Sequence, residues 1–137
     1  MKVQIVNKTD PSIGGYERVE AGENAVDMSQ YADNECEFIL AGDILDSFPI
    51  SSILALAKYL ASKIRIGGSI VVGGTDIMLF CKNTLNHMVS VNDASDILSN
   101  KKSMSSPAIA IAALENAGMK IQFSQTNGVH YEVTANR

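Results

Sequence analysis

An α/β domain with a mostly parallel sheet and an antiparallel hairpin at its C-terminal edge follows from three features of this 137-residue chain. β-branched segments that suit buried strands alternate with a helical segment through the middle of the chain. That helical segment, residues 50–64, repeats its apolar positions at intervals of three and four. An Asn-Gly pair near the end separates two alternating segments, the signal of a tight hairpin.

In order, Lys2–Val6 ("KVQIV") alternates polar and apolar residues and predicts a strand, and 7–15 ("NKTDPSIGG") is a loop of turn formers. Residues 16–20 ("YERVE") predict a second short strand. Cys36–Ala41 ("CEFILA") reads as a strand buried on both faces. In 50–64 the residues Ile50, Ile53, Leu54, Ala57, Leu60, Ala61 and Ile64 share one helical face, with Ser51, Lys58, Ser62 and Lys63 opposite. Pro49 suits the first turn, and Ser47 or Ser51 is available as the cap. Gly67 and Gly68 then predict the helix stop and a turn, and 69–72 a buried strand.

Gly73 and Gly74 lead into Thr75-Asp76, a start signal for a helix over Ile77–Leu85, and Val91–Leu98 predicts another, capped by Asn92 or Asp93. Ser106-Pro107 opens the last helix and Gly118 closes it, and its uncharged body predicts that it is largely buried. Residues 120–124 and 129–134 are the final strands, with the turn at Thr126 to Gly128.

The length suits a single domain over residues 1–137, able to bury a core without metal or disulfide staples. At 46% hydrophobic and 19% charged residues the chain is too apolar for disorder. A net charge of −4, with Lys101-Lys102 as the one basic pair, argues against a nucleic-acid partner. Cys36 and Cys81 fit neither a metal-ligand spacing nor a disulfide framework and are read as reduced thiols of a cytoplasmic protein.

The first residues lack the apolar centre of a signal peptide, and no window suits a membrane span. His87 and His130 have no ligand partner at metal-binding spacing. A nucleophile elbow, a phosphate loop and a G-x-G-x-x-G fingerprint are all absent, and the last absence sets aside a nicotinamide-dependent oxidoreductase.

The stretches "ADNECEFILAGDILDSFP", "KIRIGGSIVVGGTD" and "ALENAGMKIQ" resemble, in order, the later half of class I S-adenosylmethionine-dependent methyltransferases. There a "DNSVDEI" type segment precedes the fourth strand, a "LKPGG" turn the fifth and "AGF" the sixth. The earlier "GGYERVE" resembles the "GYINVD" of compact methyltransferases, and the resemblance places Glu20 where the family keeps an acid for the ribose hydroxyls. In "AVDMSQYADNE" it places Asp27 beside the adenine amine. The chain departs from the family after the first strand, where "VNKTDPSIGG" replaces the glycine-rich cofactor loop and no first helix follows.

The resemblance implies a Rossmann-like methyltransferase fold shortened in its N-terminal half, S-adenosylmethionine as cofactor and a small-molecule or sugar-like acceptor. Gly42 and Asp43 follow the "CEFILA" strand, and ligands of open α/β sheets bind beyond the carboxyl ends of strands. Asp46 stands where relatives place an acid or His near the acceptor, and equally suits a helix cap; Asp76 carries the same two readings. Glu20 and Asp27 are cofactor contacts or simply solvated acids.

No catalytic residue is singled out, because methyl transfer needs alignment of the reactants and only optionally a base. The rival reading is a non-catalytic methyltransferase-fold interaction module or partner subunit. A sheet that lacks a flanking helix leaves apolar surface uncovered, which predicts a homodimer.

Overall fold

The computed structural model describes residues 1–99 and 101–137. Six strands, β1 (Lys2–Val6), β2 (Glu17–Glu20), β3 (Cys36–Ala41), β4 (Ile64–Thr75), β5 (Lys120–Asn127) and β6 (His130–Asn136), form one sheet in the order β2-β1-β3-β4-β6-β5. β2, β1, β3 and β4 are parallel, and β6 runs antiparallel to both β4 and β5. The helices are α1 (Ile53–Lys63), α2 (Ile77–Leu85), α3 (Val91–Leu98) and α4 (Pro107–Asn116). The mixed α/β architecture and the terminal hairpin are as the sequence predicts.

One sheet face is dry. Val3, Ile5, Ile39, Ile70, Val72, Tyr131 and Val133 pack against Ile53, Leu56, Ala57 and Leu60 of α1 and Ala110, Ala113 and Leu114 of α4. Each fully buried Ile or Leu in this layer contributes about 2 kcal/mol of apolar burial. Alternate strand residues face the other way, and Phe38, Leu40, Val71 and Thr134 are only half-buried.

Among the described residues no helix packs on that second face. The loop after β1 crosses part of it instead: Tyr16 meets Phe38 edge-to-face at 6.1 Å between centroids. The buried Gln4 amide donates to Pro11 O (3.1 Å) and accepts from Ile13 N–H (3.0 Å). The shortened N-terminal half thus leaves two layers where helices on both faces would make three.

Several local expectations change. The helix ends at Lys63 because Ile64 is already extended, and β4 runs straight through Gly67 and Gly68. Against β3 the register jumps from Cys36↔Ile64 to Phe38↔Ser69, so the glycine pair sits in a bulge and not in a turn between elements. Gly67 takes φ +83°, its N–H donates to Arg137 O (2.9 Å), and Arg137 N–H returns a bond to Gly68 O (2.9 Å). The bulge therefore docks the C-terminal residue. The Arg137 guanidinium also donates to Ile64 O (2.5 Å) and to Asn34, closing the C-terminal end of α1.

The N-terminus of the first helix is a 3-10 turn, Ile50–Ser52, with no side-chain cap from Ser47, Ser51 or Ser52. Its buried face includes Leu56, while Ile50 and Leu54 point outward. The cap of α3 is Ser90, whose hydroxyl accepts from Asp93 N–H, and not Asn92 or Asp93. α4 buries one face only, because its apolar residues are distributed all round and just one side meets the sheet. In the hairpin Asn127 still pairs with His130, so Gly128 (φ +65°) and Val129 make the turn, one residue beyond the expected place.

Candidate functional site

A groove of about 440 Å³ opens at the carboxyl ends of β1 and β3. Val6 and Asn7 end β1 on one wall, Asp10 and Pro11 come from the following loop, Leu40, Gly42 and Asp43 close β3, and His130 and Glu132 enter from β6.

The loop wall is held from below and from the side. Asn7 N–H donates to Asp10 Oδ2 (3.0 Å) and Asp10 N–H to Asn7 O (3.0 Å), a tight turn closed on itself. From β2, Arg18 gathers the loop carbonyls, donating to Asp10 O (2.6 Å), Asn7 O (3.2 Å) and Lys8 O (3.2 Å). Ser47, in the 3-10 turn Leu45–Ser47 after β3, donates its hydroxyl to Asn7 Oδ1 (2.7 Å) and ties the two walls together.

Glycine makes the floor. A Cβ on Gly42 would collide with the Glu132 carboxylate, and one on Gly73 would strike the carbonyls of Gly42 and Tyr131. β6 and its Glu132 side chain can therefore lie close against the end of β3. His130 Nδ1 stands 3.8 Å from Asp43 Oδ1. Partial burial in the groove pushes the Asp43 carboxyl above its ordinary range, and the nearby His130 and Lys101 draw it part of the way back. With Asp10, Asp43 and Glu132 around one imidazole, the groove suits a ligand carrying positive charge or hydroxyl donors.

The structure gathers only some of the expected residues here. Gly42 and Asp43 line the groove. Glu20 ends β2 in register with Val6 and lies against Arg18 Nε (3.4 Å), one strand away from the groove. Asp27 sits in the loop between β2 and β3, where the Ser29 hydroxyl first and the Ser29 N–H (2.9 Å) second hold its carboxyl below the ordinary range.

Asp46 is buried beneath the site, where it accepts from Thr75 N–H (2.8 Å), Thr75 Oγ1 (2.6 Å) and Lys101 Nζ (2.8 Å). Lys101, from the one basic pair in the sequence, is thus half of an ion pair with a buried carboxylate. Asp76 caps α2, accepting from Met78 N–H (3.0 Å) and Leu79 N–H (3.3 Å). The space beside Gly73 and Gly74 is filled by Gly42, Tyr131, Glu132, Leu45 and Asp46.

Sequence reasoning missed Asn7, Asp10, His130 and Glu132. The strand-end rule that selected Gly42 and Asp43 applies equally to Asn7 and Asp10. For His130 and Glu132 the sequence offers no signal, because only the pairing of β6 with β4 brings them to this end of the sheet.

No family model matches the sequence, and no curated protein matches it. Solved structures do. An S-adenosylmethionine-dependent methyltransferase from Archaeoglobus fulgidus superposes with a TM-score of 0.67 at 12% identity, covering 99% of this chain and 86% of that one. An O-methyltransferase family protein from Burkholderia thailandensis gives a TM-score of 0.63 at 14% identity over 90% of this chain and 36% of that one.

Magnesium protoporphyrin IX methyltransferase from Synechocystis PCC 6803, with bound SAH, gives a TM-score of 0.54 at 14% identity, covering 90% and 52%. This chain thus spans about a third to a half of the two longer proteins. A six-stranded sheet in this order, its antiparallel hairpin and these superpositions together give the chain the fold of the class I S-adenosylmethionine-dependent methyltransferases.

Proposed function

We propose that the chain binds S-adenosylmethionine, or its demethylated product, in the groove at the ends of β1 and β3 and serves methyl transfer to a small-molecule or sugar-like acceptor. The observation that carries this reading is the groove itself. It lies beyond the carboxyl ends of parallel strands, where ligands of open α/β sheets bind, and its volume is in the range of small-molecule sites.

The group's charge and the groove's chemistry agree, since a sulfonium and an ammonium would meet Asp10, Asp43 and Glu132. Glu20, beside Val6, is the residue for ribose hydroxyls, and Gly42 makes room for the Glu132 carboxylate on the groove floor. Bound there, the cofactor supplies a methyl group already activated on sulfur. The chain's part is to orient the acceptor, exclude water and, at His130 or Asp43, receive a proton.

A second reading rests on the loop after β1. Its N–H groups at Asn7, Asp10, Ile13 and Tyr16 are spent within the loop and on Gln4, which takes those four amides away from any ligand. This favours a non-catalytic interaction module.

Calorimetric titration with S-adenosylmethionine and S-adenosylhomocysteine separates the two. The methyltransferase reading expects saturable binding, weakened about tenfold by Asp43→Ala, less by Glu20→Ala and least by Asp27→Ala. No heat and no thermal shift at millimolar ligand would overturn it in favour of the module.

A further inference from the structure

Helices α2 and α3 form a hairpin that the rest of the chain scarcely covers. α2 buries none of its residues and α3 only Ala94. Yet Met78 is 71% exposed, Leu85 79%, Met88 76% and Val91 82%. On α2 the positions Met78, Cys81, Lys82 and Leu85 follow the spacing of one helical face, and all four are exposed. Helices this short are marginal in water without tertiary packing, and within the chain only Ala94 and half-buried positions such as Leu79, Phe80 and Ile97 supply it.

We propose that this hairpin is the interface between two copies of the chain. The apolar side chains on it offer on the order of 600 Å² per copy, the upper end of what a monomer exposes in one patch and approaching the ~800 Å² per partner of a standard interface. The face is self-complementary. Met78 and Leu85 flank Cys81 and Lys82 symmetrically, so two antiparallel α2 helices pair Met78 with the partner's Leu85 across a two-fold axis, with Cys81 beside it.

The patch also carries both signs of charge, Lys82 on α2 and Asp93 and Asp96 on α3. Among the described residues none of the three has an ion-pair partner within the chain. A second copy supplies the opposite charges. The helix-free sheet face is the smaller alternative, since Phe38, Leu40 and Val71 are already half-buried and Phe123, at 55% exposure, is its most open aromatic.

Sedimentation velocity of the full chain at micromolar concentration, with and without a short bis-maleimide, tests the proposal. The wild type should sediment as a dimer and cross-link through Cys81, because Cys36 is buried. Leu85→Glu should weaken dimerisation at least a hundredfold and abolish the cross-link. Its circular dichroism should be unchanged, since the side chain is solvent-facing. Phe123→Glu should leave the dimer intact. A wild-type monomer at these concentrations would overturn the proposal, as would a dimer that survives Leu85→Glu or is broken by Phe123→Glu.

Discussion

Asp46 is a buried carboxylate with three donors of its own. The Thr75 N–H and hydroxyl and the Lys101 ammonium saturate its oxygens, while its main-chain carbonyl accepts from Lys102 N–H (2.8 Å). It joins the turn after β3, the end of β4 and the loop before α4. Asp46→Ala strands the Thr75 groups and the Lys101 charge and should destabilise the fold by about 3 kcal/mol in urea titration.

Tyr131, fully buried in β6, shares a hydrogen bond with Ser105 Oγ (2.6 Å). Burial pushes its phenol up to about 12, with the Ser105 bond opposing. A folded-state pKa raised above the ordinary 10.0 means that the native state holds the proton longer. Stability is therefore lost as pH rises from about 10 toward 12, by on the order of 2 kcal/mol. Tyr131→Phe should flatten that alkaline limb, read from denaturation midpoints between pH 9 and 12; an unchanged slope would assign the loss to other groups.

At the level of elements, the two glycine pairs of β4 do different work. Gly67 and Gly68 form the bulge that receives Arg137, and Gly68 has no room for a Cβ, which would lie 2.7 Å from Ile64 Cγ2 and 2.9 Å from Glu37 O. Gly73 and Gly74 let β6 and the Asp46 turn close on the strand end. At Gly73 the obstacles are main-chain carbonyls, which cannot turn aside as a side chain does. Gly73→Ala should therefore cost at least about 2 kcal/mol more than Gly14→Ala, where a Cβ meets nothing within 4 Å. Equal thermal midpoints for the two variants would refute this account of the groove floor.

For the whole molecule, the two-layer arrangement concentrates stability in the dry side of the sheet. β1, β3, β4 and β6 supply the core together with α1 and α4, whereas α2 and α3 hang on caps and on each other. Hydrogen exchange on the Leu85→Glu chain, free of any partner on the hairpin, should show α2 and α3 amides opening several kcal/mol below those of β3 and β4. Protection of α2 equal to that of β3 would mean that the hairpin belongs to the same cooperative unit as the sheet.

The sequence alone determined what is local. Alternation in "KVQIV", the apolar run "CEFILA", the helical spacing before Lys63 and the Asn-Gly near the end mark strands, a helix and a hairpin, because each signal is carried by residues a few positions apart. Gly42 and Asp43 were legible for a similar reason, since a strand end is a local feature with a general consequence in α/β sheets.

The tertiary structure decided everything that depends on which strands become neighbours. Pairing of β6 with β4 carried His130 and Glu132 to the groove, and the β3–β4 register turned the Gly67-Gly68 pair from a turn into a bulge. It also buried Asp46 under Thr75 and Lys101 and left Asp27 outside. A short apolar helix gives the same sequence signal whether it packs on its own sheet or on a second molecule. Only the exposure of Met78, Cys81, Lys82 and Leu85 on α2 in the folded chain distinguishes the two, because burial is a property of the assembled surface and not of the residues that carry it.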